Sequence, residues 1–256
     1  MERDHRDLDA ALEHWTVAAR LSREACRAVP VFFDKAYEDL IHDPAVPRPE
    51  SGLLHAEPGL VYEIGTLSKI LAPSLRIGYM IGAYGPLLQA IVQKTSDAGF
   101  SAPLVNQEIA GYLLDHHVAR QIEKVNAGYR EKAARTRAWI DARLGPFLAD
   151  CRGGRAGFYY YLTFHRVQTH ERSAFFHFLS RSTGRTSIDG PPDARGPRVV
   201  YIPGEFCVHP RGQMVEAGRR QLRLSYGFEE LPRIEQAVSL MREAAKYAIS
   251  SPEKTP

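Results

Sequence analysis

Short apolar runs that alternate with stretches of helical period restrict the fold of this chain more than any other feature. Residues 29–33, ending at Asp34, residues 59–65 and residues 76–82 are such runs, each bounded by Gly, Pro or a charge. Runs of that kind suit strands buried on both faces. The helical stretches lie around them. Residues 8–28 carry Leu8, Leu12, Trp15 and Ala19 near one stripe, residues 86–94 form a short helix, and residue 104 to about residue 144 form a long one with Gly128 as a candidate bend. Residues 43–58 are Pro-rich and read as a loop. From Cys151 the texture changes. Residues 157–164 are an aromatic-rich strand, residues 173–182 a helix, and residues 184–197 a loop; residues 199–202 and 221–226 are strands and residues 231–249 a closing helix. The fold class is α/β: a mostly parallel sheet over residues 1–145, then a smaller α+β domain over residues 146–256.

Composition narrows the function classes. Hydrophobic residues at 44% and charged residues at 25% exclude a disordered chain, a collagen-like repeat and a disulfide-stapled scaffold. A formal charge of +3 without a basic block gives no nucleic-acid footprint. The longest apolar runs fall far short of the roughly 20 residues of a membrane span. The N-terminus is charged and lacks an apolar core, so no signal peptide is expected. Cys26, Cys151 and Cys207 are widely spaced and odd in number, with no metal-ligand spacing; free thiols in a reducing cytoplasm, and no metal, are expected.

The chemistry-bearing residues fall in three pieces. Asp34 closes the first apolar run, where α/β sheets place ligand groups, and Tyr37 follows three residues on. Each also has a plain reading, a cap or loop residue for Asp34 and core packing for Tyr37. Lys69 follows the second run and the hydroxyls of Thr66 and Ser68; it is either a solvated loop lysine or an amine able to form a Schiff base. Arg76 opens the third run and is either a surface ion-pair residue or, with Thr66, a phosphate ligand. Arg223 stands between Leu222 and Leu224, facing outward or binding a carboxylate.

In order and spacing these pieces resemble the fold-type I pyridoxal-phosphate (PLP) enzymes, specifically the class I/II aminotransferases. The match is Asp34-x-x-Tyr37, a Pro-rich loop, Thr66-x-Ser68-Lys69 followed by Arg76-x-Gly78-Tyr79, and Leu222-Arg223-Leu224-Ser225. The resemblance implies PLP as cofactor and an aldimine on Lys69, whose freed amine moves the proton at the substrate Cα. It implies that Asp34 pairs with the ring nitrogen, that Tyr37 bonds the ring oxygen, and that Thr66, Ser68 and Arg76 hold the phosphate. Arg223 corresponds to the clamp on the substrate α-carboxylate. Substrates would be an L-amino acid and a 2-oxo acid, and the shared site of the family implies a homodimer.

This sequence also departs from the family pattern. Ser74 stands where many relatives have Gly, and Arg155 and Ala156 interrupt a Gly-Gly-aromatic run. Only residues 1–33 precede Asp34, and nothing in them resembles the family's first strands, ring-stacking aromatic or glycine-containing phosphate loop. The expectation is therefore the C-terminal part of an aminotransferase: the last strands of the large domain, the interdomain helix and the small domain, as a truncated chain. Alternatives are a PLP-dependent lyase of the same fold, a non-catalytic aminotransferase-like module as in regulators that fuse this fold to a DNA-binding domain, and an inactive fragment.

Overall fold

The computed structural model describes residues 16–48, 51, 53 and 59–251. Helix α1 is described over residues 16–24; the first half of the helix expected over 8–28, and much of the Pro-rich segment, lie outside the described residues. The chain divides into two compact units, Met1–Ala127 and Gly128–Pro256.

In the first unit β1 (Val31–Asp34) lies parallel to β2 (Val61–Thr66), with Val31 opposite Val61 and Asp34 opposite Ile64. Lys35 N–H donates to the Ile64 carbonyl at 2.8 Å and prolongs the pairing past Asp34. β3 (Gly78–Gly82) returns antiparallel to β2, giving the sheet order β1-β2-β3. Parallel pairing therefore stops at β3. Parallel strands need a crossover of about a dozen residues or more, usually a helix. The 67–77 segment instead closes on itself, with Leu67 N–H on the Ile77 carbonyl at 3.1 Å. Two glycines opposite aromatic residues seat β3 closely. A Cβ at Gly65 would stand 2.2 Å from the Tyr79 ring, and one at Gly82 would stand 2.2 Å from the Tyr62 ring.

Helix α2 (Pro86–Asp97) starts on a proline at its first turn, where no N–H is needed. The single helix expected from residue 104 to about 144 is two, α3 (Leu104–His116) and α4 (Val118–Leu144). His117 separates them at φ −132° and ψ −20°. Its N–H still reaches the Leu113 carbonyl, and its own carbonyl accepts from Gln121 N–H. One residue thus ends one helix and starts the next. Gly128 sits inside α4, where neighbours such as Glu131, Lys132 and Ala133 offset its poor propensity.

The second unit is built on an antiparallel sheet of order β4-β5-β7-β6: β4 (Leu148–Gly153), β5 (Tyr159–Phe164), β6 (Ile202–Pro203) and β7 (Gln221–Ser225). The two-residue period of β5 and β7 turns Tyr160, Leu162, Phe164, Leu222 and Leu224 to one face. They form a core with Ile140 and Leu144 of α4, Phe175 and Leu179 of α5 (Ala174–Ser180), and Ile234, Val238 and Met241 of α8 (Leu231–Ser250). Each such side chain contributes about 1.5–3 kcal/mol through burial. Tyr160 donates to the Ala133 carbonyl at 2.9 Å, and burial pushes its phenol up to about 12. The opposite face carries Tyr159, Tyr161, Thr163, Gln221 and Arg223, all half-buried.

Three features of the second unit depart from the sequence expectations. β4 was not expected: Leu-Ala-Asp-Cys-Arg-Gly lacks a clean alternation, and its register shifts between Leu148 and Asp150. The loop expected over 184–197 contains the single turn α6 (Thr186–Asp189). The Asp189 carboxylate accepts from Thr183 N–H, the Thr183 hydroxyl and Gly184 N–H. The strand expected over 199–202 shrinks to Ile202–Pro203, because Val199 N–H turns to the Leu179 carbonyl of α5. A short helix α7 (Val215–Gly218) precedes β7. Among the described residues no helix is long and apolar enough to cross a membrane.

Candidate active site

Asp34, Tyr37, Thr66, Ser68, Lys69 and Arg76 all lie in the first unit, at the C-terminal ends of β1 and β2 and on the segments that follow. Parallel pairing is what brings them to one sheet end. Asp34 is exposed, and its Oδ1 accepts from Ala36 N–H at 3.0 Å, which tightens the turn toward Tyr37. The side chain of Lys35 goes to Glu63 and Glu38, at 3.0 and 2.8 Å. Burial works against the Lys35 charge, but the two carboxylates raise its pKa above the ordinary value. Glu63 is itself buried within β2 and also accepts from the Ser51 hydroxyl at 2.8 Å. This ion pair fastens the chain next to Asp34.

The segment after β2 is held by its own hydroxyls. Ser68 N–H donates to Thr66 Oγ1 at 3.1 Å, the two side-chain oxygens lie 3.0 Å apart, and the Thr66 hydroxyl lies 2.9 Å from the Ile77 carbonyl. Leu67 and Ile70 are buried beside them, so Lys69 is anchored on both sides. The Lys69 Nζ lies 5.4 Å from the Tyr37 ring centroid, within cation–π range. A short 3-10 turn, Pro73–Leu75, leads to Arg76, which stands in the left-handed region at φ 54° and ψ 39°. Its Nη1 donates to the Pro73 carbonyl at 3.2 Å, and Asn106 of α3 holds the Leu75 carbonyl at 3.0 Å. Ser74 does not have a positive φ, so its place in a family position that often holds Gly is unstrained. Burial, with the charges of Asp39 and Glu38, pushes the Tyr79 phenol above its ordinary value.

Arg223 lies in the second unit, on β7. Its Cζ sits 4.5 Å from the Tyr159 ring centroid, and its buried Nε has no hydrogen-bond partner among the described residues. Gly153, Gly154 and Gly157 all have positive φ, so the turn from β4 to β5 accommodates Arg155 and Ala156. Two features of these surroundings escaped the sequence reading. The Lys35–Glu63 pair was hidden because its partners are distant in sequence. The placing of Tyr159 beside Arg223 was signalled by the two-residue period, but needs the register of β5 on β7.

As a donor set, the first unit offers an amine, a carboxylate, a phenol, two hydroxyls and a guanidinium. That chemistry fits a cofactor with an aldehyde, a basic ring nitrogen, a ring oxygen and a phosphate. Among the described residues no group of three or more His, Cys, Asp or Glu could hold a metal ion.

Comparison with known proteins agrees with the fold. No protein-family model matches the chain. A 2-aminoadipate transaminase of Thermus thermophilus is 37% identical over 76 residues, 30% of this chain and 19% of that protein. An uncharacterized HTH-type transcriptional regulator of Bacillus subtilis, YisV, is 25% identical over 225 residues, 87% of this chain and 40% of that protein. The structure also matches LysN, an alpha-aminoadipate aminotransferase of Thermus thermophilus solved with N-(5'-phosphopyridoxyl)-L-leucine, with a TM-score of 0.72 and 23% identity over 93% of this chain and 55% of that one. The chain thus has the fold of the PLP-dependent aminotransferases and spans about half the length of the solved enzyme it matches.

Proposed function

We propose that this chain is part of a PLP-dependent aminotransferase that moves an amino group between an L-amino acid and a 2-oxo acid. The observation that carries this reading is the gathering of Lys69, Tyr37 and Asp34 at one end of the β1/β2 pair, with the lysine amine against the tyrosine ring. When bound, PLP supplies an electron sink for the carbanion formed at the substrate Cα. In this reading Lys69 binds the cofactor, then takes and returns the Cα proton. Asp34 keeps the ring nitrogen protonated, and Tyr37 donates to the ring oxygen. Thr66, Ser68 and Arg76 hold the phosphate, and Arg223 orients the substrate carboxylate with its guanidinium fork. Residues 1–145 would be the cofactor-binding part with the interdomain helix, and residues 146–256 the small domain. The working protein would be a cytoplasmic homodimer.

Two experiments test this. Addition of PLP followed by borohydride should leave a stable pyridoxyl label on Lys69 in a peptide map, lost in Lys69→Ala. No label, or label spread over other lysines, overturns the reading. Transamination by the unreduced, PLP-loaded protein should then be measured with an amino acid and a 2-oxo acid. The resemblance to YisV over 87% of the chain supports a second reading, a ligand-binding aminotransferase-like module without turnover. It predicts the Lys69 label and substrate-dependent spectral change, but no release of the new amino acid.

A further inference from the structure

We infer that Tyr159 is the positioning residue that presents the Arg223 guanidinium to a carboxylate. The inference rests on the carboxylate role of Arg223 proposed above. β5 pairs with β7 so that Tyr161 stands opposite Arg223 and Tyr159 opposite Ser225. Tyr159 is therefore the diagonal neighbour of Arg223 on the same face, within reach of a long side chain. The Arg223 Cζ lies 4.5 Å from its ring centroid. The other polar groups of this face satisfy one another: Tyr161 and Gln221 meet at 3.2 Å, and Gln221 Nε2 donates to Thr163 Oγ1 at 3.2 Å. Tyr161, whose phenol is pushed up by burial and by the thiol of Cys207, is thereby engaged away from the arginine. Arg223 makes no ion pair among the described residues, and its Nε is buried without a partner.

A half-buried cation without an acidic partner is unfavourable. An Asp or Glu in place of Tyr159 would neutralise it, but would also occupy the N–H donors that a ligand needs. The face of an aromatic ring stabilises the cation without consuming those donors. The guanidinium is held in place and stays open to a bidentate carboxylate. The ligand class is thus a carboxylate, such as that of an α-amino or 2-oxo acid.

The test is an NMR titration of the full chain with pyruvate, and with methyl pyruvate as the uncharged control, followed at the Arg223 Nε–H resonance and, so that every variant including Arg223→Gln can be read, at the backbone amides of β5 and β7. Pyruvate should shift these signals saturably and methyl pyruvate should not. Tyr159→Phe keeps the ring face and should bind pyruvate within about twofold of wild type, whereas Tyr159→Leu should bind about three- to tenfold more weakly and lose the ring-current shift of the Nε–H. If Tyr159→Leu does not fold, Tyr159→Met, which also lacks the ring, provides the same comparison. Arg223→Gln separates the two levels. If it binds pyruvate as wild type does, or if wild type shows no saturable binding, the role of Arg223 falls and the inference with it. If Arg223→Gln loses binding while Tyr159→Leu keeps it, only the inference is overturned. A Tyr159→Phe chain as weak as Tyr159→Leu overturns it too, because the hydroxyl rather than the ring face would then be acting.

Discussion

Gly65 and Gly82 both face an aromatic ring across the β2/β3 pair, but the two rings have different room to move. Tyr62, over Gly82, is 1% exposed, whereas Tyr79, over Gly65, is 42% exposed. Tyr79 can swing toward solvent to admit a methyl group; Tyr62 cannot without disturbing the sheet. Gly82→Ala is therefore expected to destabilise the first unit by about 1–3 kcal/mol, and Gly65→Ala by less, as read from urea unfolding of both variants. Asp189 allows a pH test. Burial disfavours its carboxylate, but the hydrogen bonds from Thr183 and Gly184, with the charge of Arg195, hold its pKa below the ordinary value. A lowered folded-state pKa gives stability that is complete above the unfolded value, about 3.9, and is lost as pH falls through the folded one. Thermal melts of wild type below about pH 5 should fall more steeply than those of Asp189→Asn. Among the proposed site residues, Lys69, Thr66 and Arg76 could be named from the sequence because their spacing is local, within one strand–turn–strand. The surroundings of Arg223 were not, because a strand pairing sets them.

At the scale of elements, legibility followed the clarity of the hydrophobic period. β1 and β2 were readable as apolar runs with clear ends, and α8 as a stripe through Ile234, Val238 and Met241. β4 was unreadable because its irregular pairing and mixed composition hide the two-residue alternation. The break at His117 carries neither Gly nor Pro, so nothing local announces it, while Gly128 announces a break that does not occur. The α5–α8 core of the second unit makes a quantitative statement. Leu222 and Leu162 are fully buried at the centre of the β5/β7 pair. Leu222→Ala should lower the unfolding free energy of that unit by about 2–5 kcal/mol in chemical denaturation. Arg143 of α4 bonds the Glu235 carboxylate, the Glu235 carbonyl and the Ser239 hydroxyl of α8. It is partly exposed, so Arg143→Met should cost only about 1 kcal/mol or less in the same measurement.

For the whole molecule, several large apolar side chains of the first unit lie in solvent. Phe32 and Ile64 on one face of the first sheet, Ile81 on the other, and Phe100, Leu104 and Val105 near the start of α3 are all more than 40% exposed. Both faces of a sheet of this class are ordinarily covered. The isolated chain should bind a hydrophobic dye such as ANS while still giving a dispersed NMR spectrum; no dye binding would show these side chains to be covered in solution. If Arg76 holds the phosphate as proposed, stability and chemistry compete at its backbone position. Arg76 occupies a left-handed conformation that glycine adopts freely, at a cost of about 1 kcal/mol to the fold. A population selected for heat resistance alone should accumulate glycine there, and one selected for the proposed cofactor binding should keep arginine, so sequencing the two would show which demand has held this residue in place.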